Sequence, residues 1–515
     1  MKPLFSKYNS RLLLLLLISF AVRALISASI DLSNDEVNYW AYALYPSLSH
    51  FDHPPMVGYI IQLFTLNLTF QSEFFVRLAS VVIGTINTFL IFRIGKTIKD
   101  SQAGFYAALL YTSSVYCFFI SGVFILPDTP LLLFWLLSLL VFVKILPVKN
   151  PDSYSRKFIL AAGIFIGLGM LSKYTAVFIW IGALAYIVFF NRSWLKQKEL
   201  YFAVLLSALV FIPVIIWNVN NNFISFTFQG DRVAVNNLSL RPDFLGTEIA
   251  GQIFYNNPVN FILAIITLTA FLRNKSEINK DYFRLLLLVS LPVIVVFLLS
   301  SLTRRTLPHW SAPGYIGLIL ITSYFLSNIS GSKVHYAVKS ALSLLGIVLL
   351  AGMLQVKTGI FFNDVKDRTP ENLGEDDASL DIYGWNQLSE KFNTLYNQDL
   401  QQDRIKPSPR IYTWRWFPAA NFDYYIGRSS AVYSYALGSL ENIRNYNWIN
   451  SKRVKPSVGD DAYYICSSRD YNLPSKFYSD YFQTIENPDT IRIVRNGINV
   501  MNYFVFRMKH LKKEL

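Results

Sequence analysis

Long apolar blocks recur along the chain as far as residue 357, beginning with the run LLLLLLISFA at 12–21. A helix needs about 20 mostly apolar residues to cross a bilayer, so a chain with many such blocks is typical of a multi-pass membrane protein. The composition, 53% hydrophobic and 16% charged, would leave a soluble protein of this length short of polar surface. We predict about eleven membrane-spanning helices. The predicted spans are 12–30, 74–93, 103–121, 129–147, 158–171, 174–190, 201–218, 252–271, 283–302, 310–327 and 337–356.

Lysine and arginine residues cluster in every second loop between these blocks, as in the loop that holds Arg93, Lys96 and Lys99. Basic loops face the cytoplasm, so the loops between them lie on the extracytoplasmic side. The net charge of +14 is then explained by orientation in a membrane rather than by binding to nucleic acid. We therefore predict a multi-pass protein of the cell (inner) membrane, with the unusual polar residues on its extracytoplasmic, or periplasmic, face.

One apolar stretch, 158–190, contains a lysine near its middle. Its length of about 33 residues is too long for one span and short for two. Because both flanks are basic, the chain should cross the membrane and return, with Ser172 and Lys173 at the outer turn. A lysine at membrane depth is costly unless it is paired, so Lys173 is a candidate functional residue.

The first outer loop, 31–73, holds three carboxylates and an imidazole: Asp35, Glu36, Asp52 and His53. The pair Asp35 and Glu36 could cap a helix at the interface, or one of them could act as a general base towards an acceptor hydroxyl. Asp52 and His53 could tether the loop, bind a phosphate through an imidazolium, or contribute two ligands to a divalent metal ion.

Further candidates follow in the later outer loops. Asp128 either caps the fourth predicted helix, whose Pro130 suits a first turn, or serves as a functional acid. Lys173, Arg304 and Arg305 make the outer face cationic, which could neutralise a phosphate leaving group or attract lipid head groups.

Aromatic and amide side chains in two of these outer segments allow two interpretations as well. Trp217, Asn218 and Trp310 could belong to an interfacial aromatic belt, or they could stack on a sugar and shape a lipid groove. The combination of acids, cations and a membrane scaffold favours a lipid-phosphate substrate.

After residue 357 the chain becomes polar and shows alternating runs such as SAVYSYAL and TIRIVRNGINVMNYFVF. We predict a transmembrane region at 1–357 and a soluble extracytoplasmic α/β domain at 358–515, which would recognise an acceptor or gate its entry. The two cysteines, Cys117 and Cys466, lie far apart in sequence and imply no disulfide framework. No glycine-rich phosphate loop is present, so a nucleotide is not expected.

An ordered set of motifs resembles the bacterial GT-C glycosyltransferases, a group that includes the protein O-mannosyltransferases and the aminoarabinose transferases of lipid A. The resemblance covers most of 31–325. It rests on NDEVNYWAYALYPSLSHFDHPPMVGYI, FVRLAS, PDTPLLLFWLLSL, GLGMLSKYTAVF, PVIIWNVNNNFISFTFQGDR and PHWSAPGYI.

The resemblance implies a GT-C fold and an inverting transfer of a sugar from a polyprenyl-phosphate-sugar donor to an acceptor hydroxyl on the extracytoplasmic face. It implies that Asp35, with Glu36 beside it, and Asp128 are catalytic. It further implies that His53 and Lys173 contact the donor phosphate, with help from Arg304 or Arg305. The expected sugar and acceptor contacts are Trp217, Asn218, His309 and Trp310.

The acceptor could be a protein, a lipid or an envelope polysaccharide, and the resemblance leaves open a divalent metal ion at Asp52 and His53. Two other functions are compatible with many spans: a transporter or flippase of polyprenyl-linked glycans, and a non-catalytic envelope assembly protein. A transporter should spread charged residues through its spans, whereas the charged residues here cluster at one interface.

Overall fold

A computed structural model of the chain describes residues 7–232, 239–273, 277–329 and 332–513. The chain divides into two compact units, one formed by Met1–Ala28 and Pro46–Val348 and the other by Ser29–Tyr45 and Leu349–Leu515. We call them the helical unit and the sheet unit. The predicted boundary was at 357, and the sequence analysis had grouped residues 29–45 with the membrane region.

The described residues up to 358 form fifteen α-helices. They are α1 (Lys7–Ser29), α2 (Asn34–Leu44), α3 (Met56–Phe64), α4 (Glu73–Ile98), α5 (Ser101–Ser113), α6 (Asp128–Ile145), α7 (Ser153–Met170), α8 (Val177–Phe190), α9 (Lys198–Asn220), α10 (Ile224–Asp231), α11 (Pro242–Tyr255), α12 (Pro258–Leu272), α13 (Lys280–Ser301), α14 (Tyr315–Asn328) and α15 (Ser332–Thr358). Of these, α2 belongs to the sheet unit, and α15 belongs to it from Leu349 onwards.

Six of the described helices, α1, α4, α6, α9, α13 and α15, are long and apolar enough to cross a bilayer. The pair α11 and α12, bent by 97°, would make a seventh span. The predicted class, a polytopic α-helical membrane protein with a C-terminal α/β domain, is confirmed. The count of about eleven spans stays a prediction, because α5, α8 and α14 contain only 13, 14 and 14 residues.

Close packing of α7 against α9 depends on glycine. A Cβ atom on Gly163 would lie 2.3 Å from the backbone oxygen of Ala203, and one on Gly167 would lie 2.7 Å from the Cβ atom of Val210. The Ser207 hydroxyl donates to the Gly163 carbonyl at 2.7 Å, which adds a polar bond between the two helices. The helix ends at Met170, and the break predicted around Lys173 separates α7 from α8.

The sheet unit is built on six strands: β1 (Arg410–Thr413), β2 (Ser434–Ala436), β3 (Ala462–Ser467), β4 (Phe482–Ile485), β5 (Asp489–Arg495) and β6 (Ile498–Leu511). The order is β2-β1-β3-β6-β4, with β5 also paired to β6. Strands β1, β2 and β3 are parallel, and β6 is antiparallel to its neighbours.

Helices surround this sheet. They are α16 (Trp385–Gln401), α17 (Trp416–Phe422), α18 (Arg428–Ser430), α19 (Leu440–Ile443), α20 (Tyr446–Ser451) and α21 (Ser475–Tyr478). The parallel strands therefore carry helical connections, as parallel pairing requires.

The segment Ser29–Tyr45, which includes α2, folds with the sheet unit although more than 300 residues separate it from Leu349. The backbone N–H of Trp385 donates to the Asp31 carboxylate at 2.8 Å. The rings of Trp40 and Tyr424 meet edge to face with 5.2 Å between their centroids. These contacts fix α2 within the sheet unit through both a charged hydrogen bond and aromatic packing.

Candidate functional site

The helical unit contains a cavity of about 460 Å³ in which two cationic side chains, Lys173 and Arg232, accompany a mostly apolar lining. We call it the cationic cavity. Its lining residues are His53, Met170, Lys173, Tyr174, Thr175, Val177, Phe178, Phe211, Phe226, Gln229, Gly230, Arg232, Val296, Phe297 and Trp310. Such a lining is suited to a ligand with an anionic head and a hydrocarbon portion.

A buried ion pair joins two residues that the sequence analysis had nominated separately. The Lys173 ammonium lies 3.0 Å from both carboxylate oxygens of Asp128, and their side chains are 8% and 3% exposed. The Tyr116 hydroxyl donates to the same carboxylate at 2.8 Å. Asp128 is the first residue of α6, where the helix dipole favours a negative charge. The pair gives the buried ammonium its counter-charge, and the two bonds use two of its three donors.

Two histidines lie in the electrostatic neighbourhood of this pair. Burial, with the positive charges of Lys173 and Arg232, lowers the pKa of His53 to about 4. Burial and the same two cations lower the pKa of His309 to about 4. Both imidazoles are therefore neutral near pH 7, where each carries one N–H donor and one acceptor nitrogen.

Hydrogen bonds tie the first outer loop to the lysine turn. The backbone N–H of Met56 donates to the carbonyl of Leu171 at 3.1 Å. The Gln229 amide donates to the carbonyl of Asp52, whose side chain is buried. Asp52 and His53 therefore lie on the same side of the helical unit as Lys173. This position is compatible with one site that contains all three residues.

Arg232 is a functional candidate that the sequence analysis did not single out. Its guanidinium lines the cationic cavity and lies over the Trp310 ring, 4.7 Å from the ring centroid. Trp310 thereby lies in the cavity wall instead of in a general interfacial belt. Arg232 is the last residue of the segment NNNFISFTFQGDR. Its position at the end of this polar segment is the sequence feature that could have indicated a functional role.

The predicted site residues of the helical unit that do not line the cationic cavity are Asp52, Asp128, Trp217, Asn218, Arg304, Arg305 and His309. Arg304 donates to the backbone carbonyl of Asp231, and Arg305 is exposed. Trp217 is buried, and the Asn218 amide oxygen accepts from a backbone N–H of the following helix, α10, at 3.3 Å. Trp217 and Asn218 therefore hold the junction of α9 and α10.

The acids of α2 differ in environment. Glu36 is fully buried, and its carboxylate accepts from the backbone N–H of Ser33 at 2.9 Å and from the Ser33 hydroxyl at 3.0 Å. This is the geometry of a capping box, which satisfies backbone donors at the start of a helix. Asp35 is exposed. The two neighbouring acids thus differ in burial, and Glu36 serves as a helix cap.

The metal assignment concerned Asp52 and His53. Among the described residues, no three His, Cys, Asp or Glu side chains come together as metal ligands would. Two ligands do not make a structural or catalytic site of the usual kind, so the residues present do not fit a bound metal ion.

The fold matches that of known membrane transferases. The crystal structure of ArnT from Cupriavidus metallidurans bound to undecaprenyl phosphate superposes with a TM-score of 0.62 at 12% identity, covering 96% of this chain and 98% of that one. Its apo form gives a TM-score of 0.60 at 11% identity, covering 97% and 98%. The chain is therefore a membrane protein with the GT-C glycosyltransferase fold.

Sequence relatives agree with this class. Residues 52–217 match the family described as dolichyl-phosphate-mannose-protein mannosyltransferase. Lipid A galacturonosyltransferase RgtD from Rhizobium johnstonii is 20% identical over 316 residues, which are 61% of this chain and 65% of the relative. The match thus spans slightly less than two thirds of the relative's own length. The predicted resemblance to the GT-C glycosyltransferases is confirmed.

Proposed function

We propose that this chain is a glycosyltransferase of the cell membrane that transfers a sugar from a polyprenyl-phosphate donor to an acceptor hydroxyl on the extracytoplasmic face, with inversion. The observation that carries the proposal is the cationic cavity, in which Lys173 and Arg232 accompany a mostly apolar lining. A phosphate head requires cations and hydrogen-bond donors, and a polyprenyl tail requires apolar walls. The similarly folded ArnT was crystallised with undecaprenyl phosphate, a ligand of this kind.

The leaving group in such a transfer is the lipid phosphate, which gains negative charge as its bond to the sugar C1 atom breaks. Lys173 and Arg232 would stabilise that charge, because fixed cations in a site of low dielectric constant act strongly on developing charge. The neutral imidazoles of His53 and His309 would donate hydrogen bonds to phosphate or sugar oxygens. Asp128 would orient the Lys173 ammonium through the bonds at 3.0 Å.

The nucleophile is the acceptor hydroxyl, and we assign Asp35 as the base that takes its proton. The hydroxyl oxygen attacks C1 from the face opposite the phosphate, the C1–O bond to phosphate breaks, and the phosphate leaves with the electron pair. The family resemblance supports Asp35, whose side chain is exposed. Glu36 supports the geometry of the same helix through its bonds to Ser33.

Other nominated residues take secondary places in the proposal. Trp310, which lines the cavity, would contact the sugar together with His309. Arg304 and Arg305 would attract lipid phosphates at the membrane surface. Among the acceptor classes, a lipid A-like lipid is the first to test, because the relative RgtD is described as a lipid A galacturonosyltransferase.

The first experiment is mass spectrometry of protein, lipid and polysaccharide glycans from a strain that lacks the gene. A sugar that disappears, and returns with the wild-type gene, identifies the acceptor class and the sugar transferred. Complementation with the Asp35→Asn variant should fail, whereas the Lys280→Gln variant, altered at an exposed lysine of α13, should restore the sugar. Matched expression of the two variants is the control.

A transfer assay with purified protein separates a transferase from a flippase. Wild-type protein in nanodiscs should move a labelled sugar from its polyprenyl phosphate to the acceptor found by mass spectrometry. Transfer at the wild-type rate by the folded Asp35→Asn variant would refute the assignment of the base. If no transfer occurs with wild-type protein although the strain lacks the sugar, a transporter is the better explanation.

A further inference from the structure

The sheet unit contains a second cavity, of about 100 Å³, at the carboxyl ends of its parallel strands. Strand β1 pairs with β2 on one side and with β3 on the other. The chain leaves β1 towards β2 and leaves β3 towards the antiparallel strands, so the two connections diverge and open a crevice. Open α/β sheets bind their ligands at such a topological switch point. We call this space the switch-point cavity.

Aromatic side chains dominate the lining of the switch-point cavity, accompanied by a few polar groups. The lining residues include Trp385, Trp414, Phe417, Tyr464 and Tyr503. The π face of an aromatic ring is negative and attracts the slightly positive C–H groups of a saturated ring. The cavity is small, which restricts the occupant to a single ring rather than a nucleotide or an oligosaccharide.

Charged groups at the switch-point cavity form ion pairs. The Arg469 guanidinium donates to the Asp381 carboxylate at 2.6 Å, and Arg415 forms an ion pair with Asp470. The lining itself holds one cation, Arg469, and two anions, Asp381 and Asp470, while Arg415, which is not a lining residue, pairs with Asp470. The site therefore does not favour a phosphate or another strong anion. Carboxylates accept hydrogen bonds and guanidinium groups donate them, so together they suit hydroxyl groups, which do both.

Two buried guanidinium donors are a further polar feature of this region. Within the part of the chain that the structure describes, the Nε atoms of Arg415 and Arg469 are buried without a hydrogen-bond partner. Buried donors are nearly always satisfied in folded proteins, and an exception calls for an acceptor. Arg469 is itself a lining residue, so a hydroxylated occupant could supply that oxygen.

We propose that the switch-point cavity binds a neutral, hydroxylated sugar ring. Its C–H face would pack on the aromatic side chains, and its hydroxyl groups would bond to the side chains of Arg469, Asp381 and Asp470. The assignment of this ring to the acceptor glycan rests on the proposed transferase function, but sugar binding itself does not. The sheet unit would then bind one sugar of the acceptor glycan, and a different group of the acceptor would carry the hydroxyl that reacts.

The test is saturation-transfer NMR on the full-length protein in nanodiscs. The probes are methyl glycosides of glucose, galactose and mannose, with cyclohexanol and inorganic phosphate as comparison ligands. At least one glycoside should bind, and neither comparison ligand should compete with it. Arg469→Gln should weaken binding roughly 10- to 100-fold, the loss expected for a hydrogen bond to a charged group.

The matched control is Arg492→Gln, which makes the same chemical change at an exposed arginine of β5 outside the cavity and should leave binding unchanged. Trp414→Ala tests the aromatic wall independently of charge and should also weaken binding. The proposal is overturned if folded Arg469→Gln and Trp414→Ala bind the glycosides as wild type does, or if phosphate binds and the glycosides do not.

The Asp35→Asn variant separates this proposal from the transferase proposal. It should bind the glycoside normally and transfer no sugar. In a transfer assay Arg469→Gln should raise KM for the acceptor while kcat changes little. An unchanged KM would refute the link to the acceptor and would leave the sugar site standing on the NMR result.

Discussion

Removal of one partner of the buried Lys173–Asp128 ion pair should destabilise the helical unit strongly, whereas removal of both should not. The ammonium lies 3.0 Å from each carboxylate oxygen, and neither side chain is more than 8% exposed. Asp128→Asn leaves a buried ammonium without its counter-charge, and Lys173→Gln leaves a buried carboxylate. The double variant replaces two charges with two amides that can bond to each other and to the Tyr116 hydroxyl.

The magnitude follows from distance and burial. Two unit charges 3.0 Å apart attract by roughly 5 kcal/mol at an effective dielectric constant of about 20. Breaking a buried pair by removing one partner costs about 3–5 kcal/mol, because the remaining charge keeps its desolvation penalty. We expect a loss of that size in the free energy of unfolding for each single variant. The double variant should lie within about 1–2 kcal/mol of wild type.

The measurement is a double-mutant cycle in mixed micelles, with unfolding driven by increasing SDS and followed by tryptophan fluorescence. Lys280→Gln is the control for loss of an exposed lysine and should fall within about 0.5 kcal/mol of wild type. The reasoning is refuted if each single variant costs less than about 1 kcal/mol and the two costs add in the double variant. That result would mean that water or lipid head groups already screen the pair.

Three further outcomes are expected. First, the folded pKa values of His53 and His309, about 4, lie below the free value of 6.5, so the folded state binds fewer protons and stability falls as pH drops from about 6.5 to about 4. Thermal denaturation across that range should show the fall, and replacing both histidines with glutamine should flatten it. Second, Asp399→Asn removes one of two carboxylate partners of the buried Arg507 guanidinium and leaves the more exposed Asp489 in place. It should cost the sheet unit about 1–3 kcal/mol in urea titrations followed by limited proteolysis, and a loss below about 0.5 kcal/mol would contradict it. Third, Gly163→Ala should lower the melting temperature because its Cβ atom meets a backbone oxygen at 2.3 Å, whereas Gly246→Ala, with no atom within 4 Å, should not.

The sequence carried enough information to predict the lysine turn but not its partner. Apolar length and basic flanks placed Lys173 between two short helices, because these signals are local. The bond to Asp128 joins residues 45 positions apart, and it forms only through the packing of α6 beside α7. Its two members could be nominated singly, as an acid and a cation of outer loops, without any indication that they pair.

A helix-capping role for the pair Asp35 and Glu36 was one of the sequence-based alternatives, and in the structure Glu36 takes this role through its bonds to Ser33. Arg232 was not predicted as a site residue, because in the sequence it cannot be distinguished from an arginine that merely lies at the membrane interface. Its position over the Trp310 ring depends on the meeting of α10 with the segment that precedes α14. A contact between two separate segments leaves no periodic pattern in the sequence, so it cannot be predicted in the way a helix or strand can.

The union of Ser29–Tyr45 with Leu349–Leu515 has a consequence for biosynthesis. A ribosome that has just completed α14 has not yet made α16 and α17, against which the segment Ser29–Tyr45 packs. The bond from Trp385 to Asp31 must wait until about 350 further residues have been added. A half-made chain thus carries α2 without the helices that bury it, and only the local bonds between Ser33 and Glu36 are independent of later synthesis.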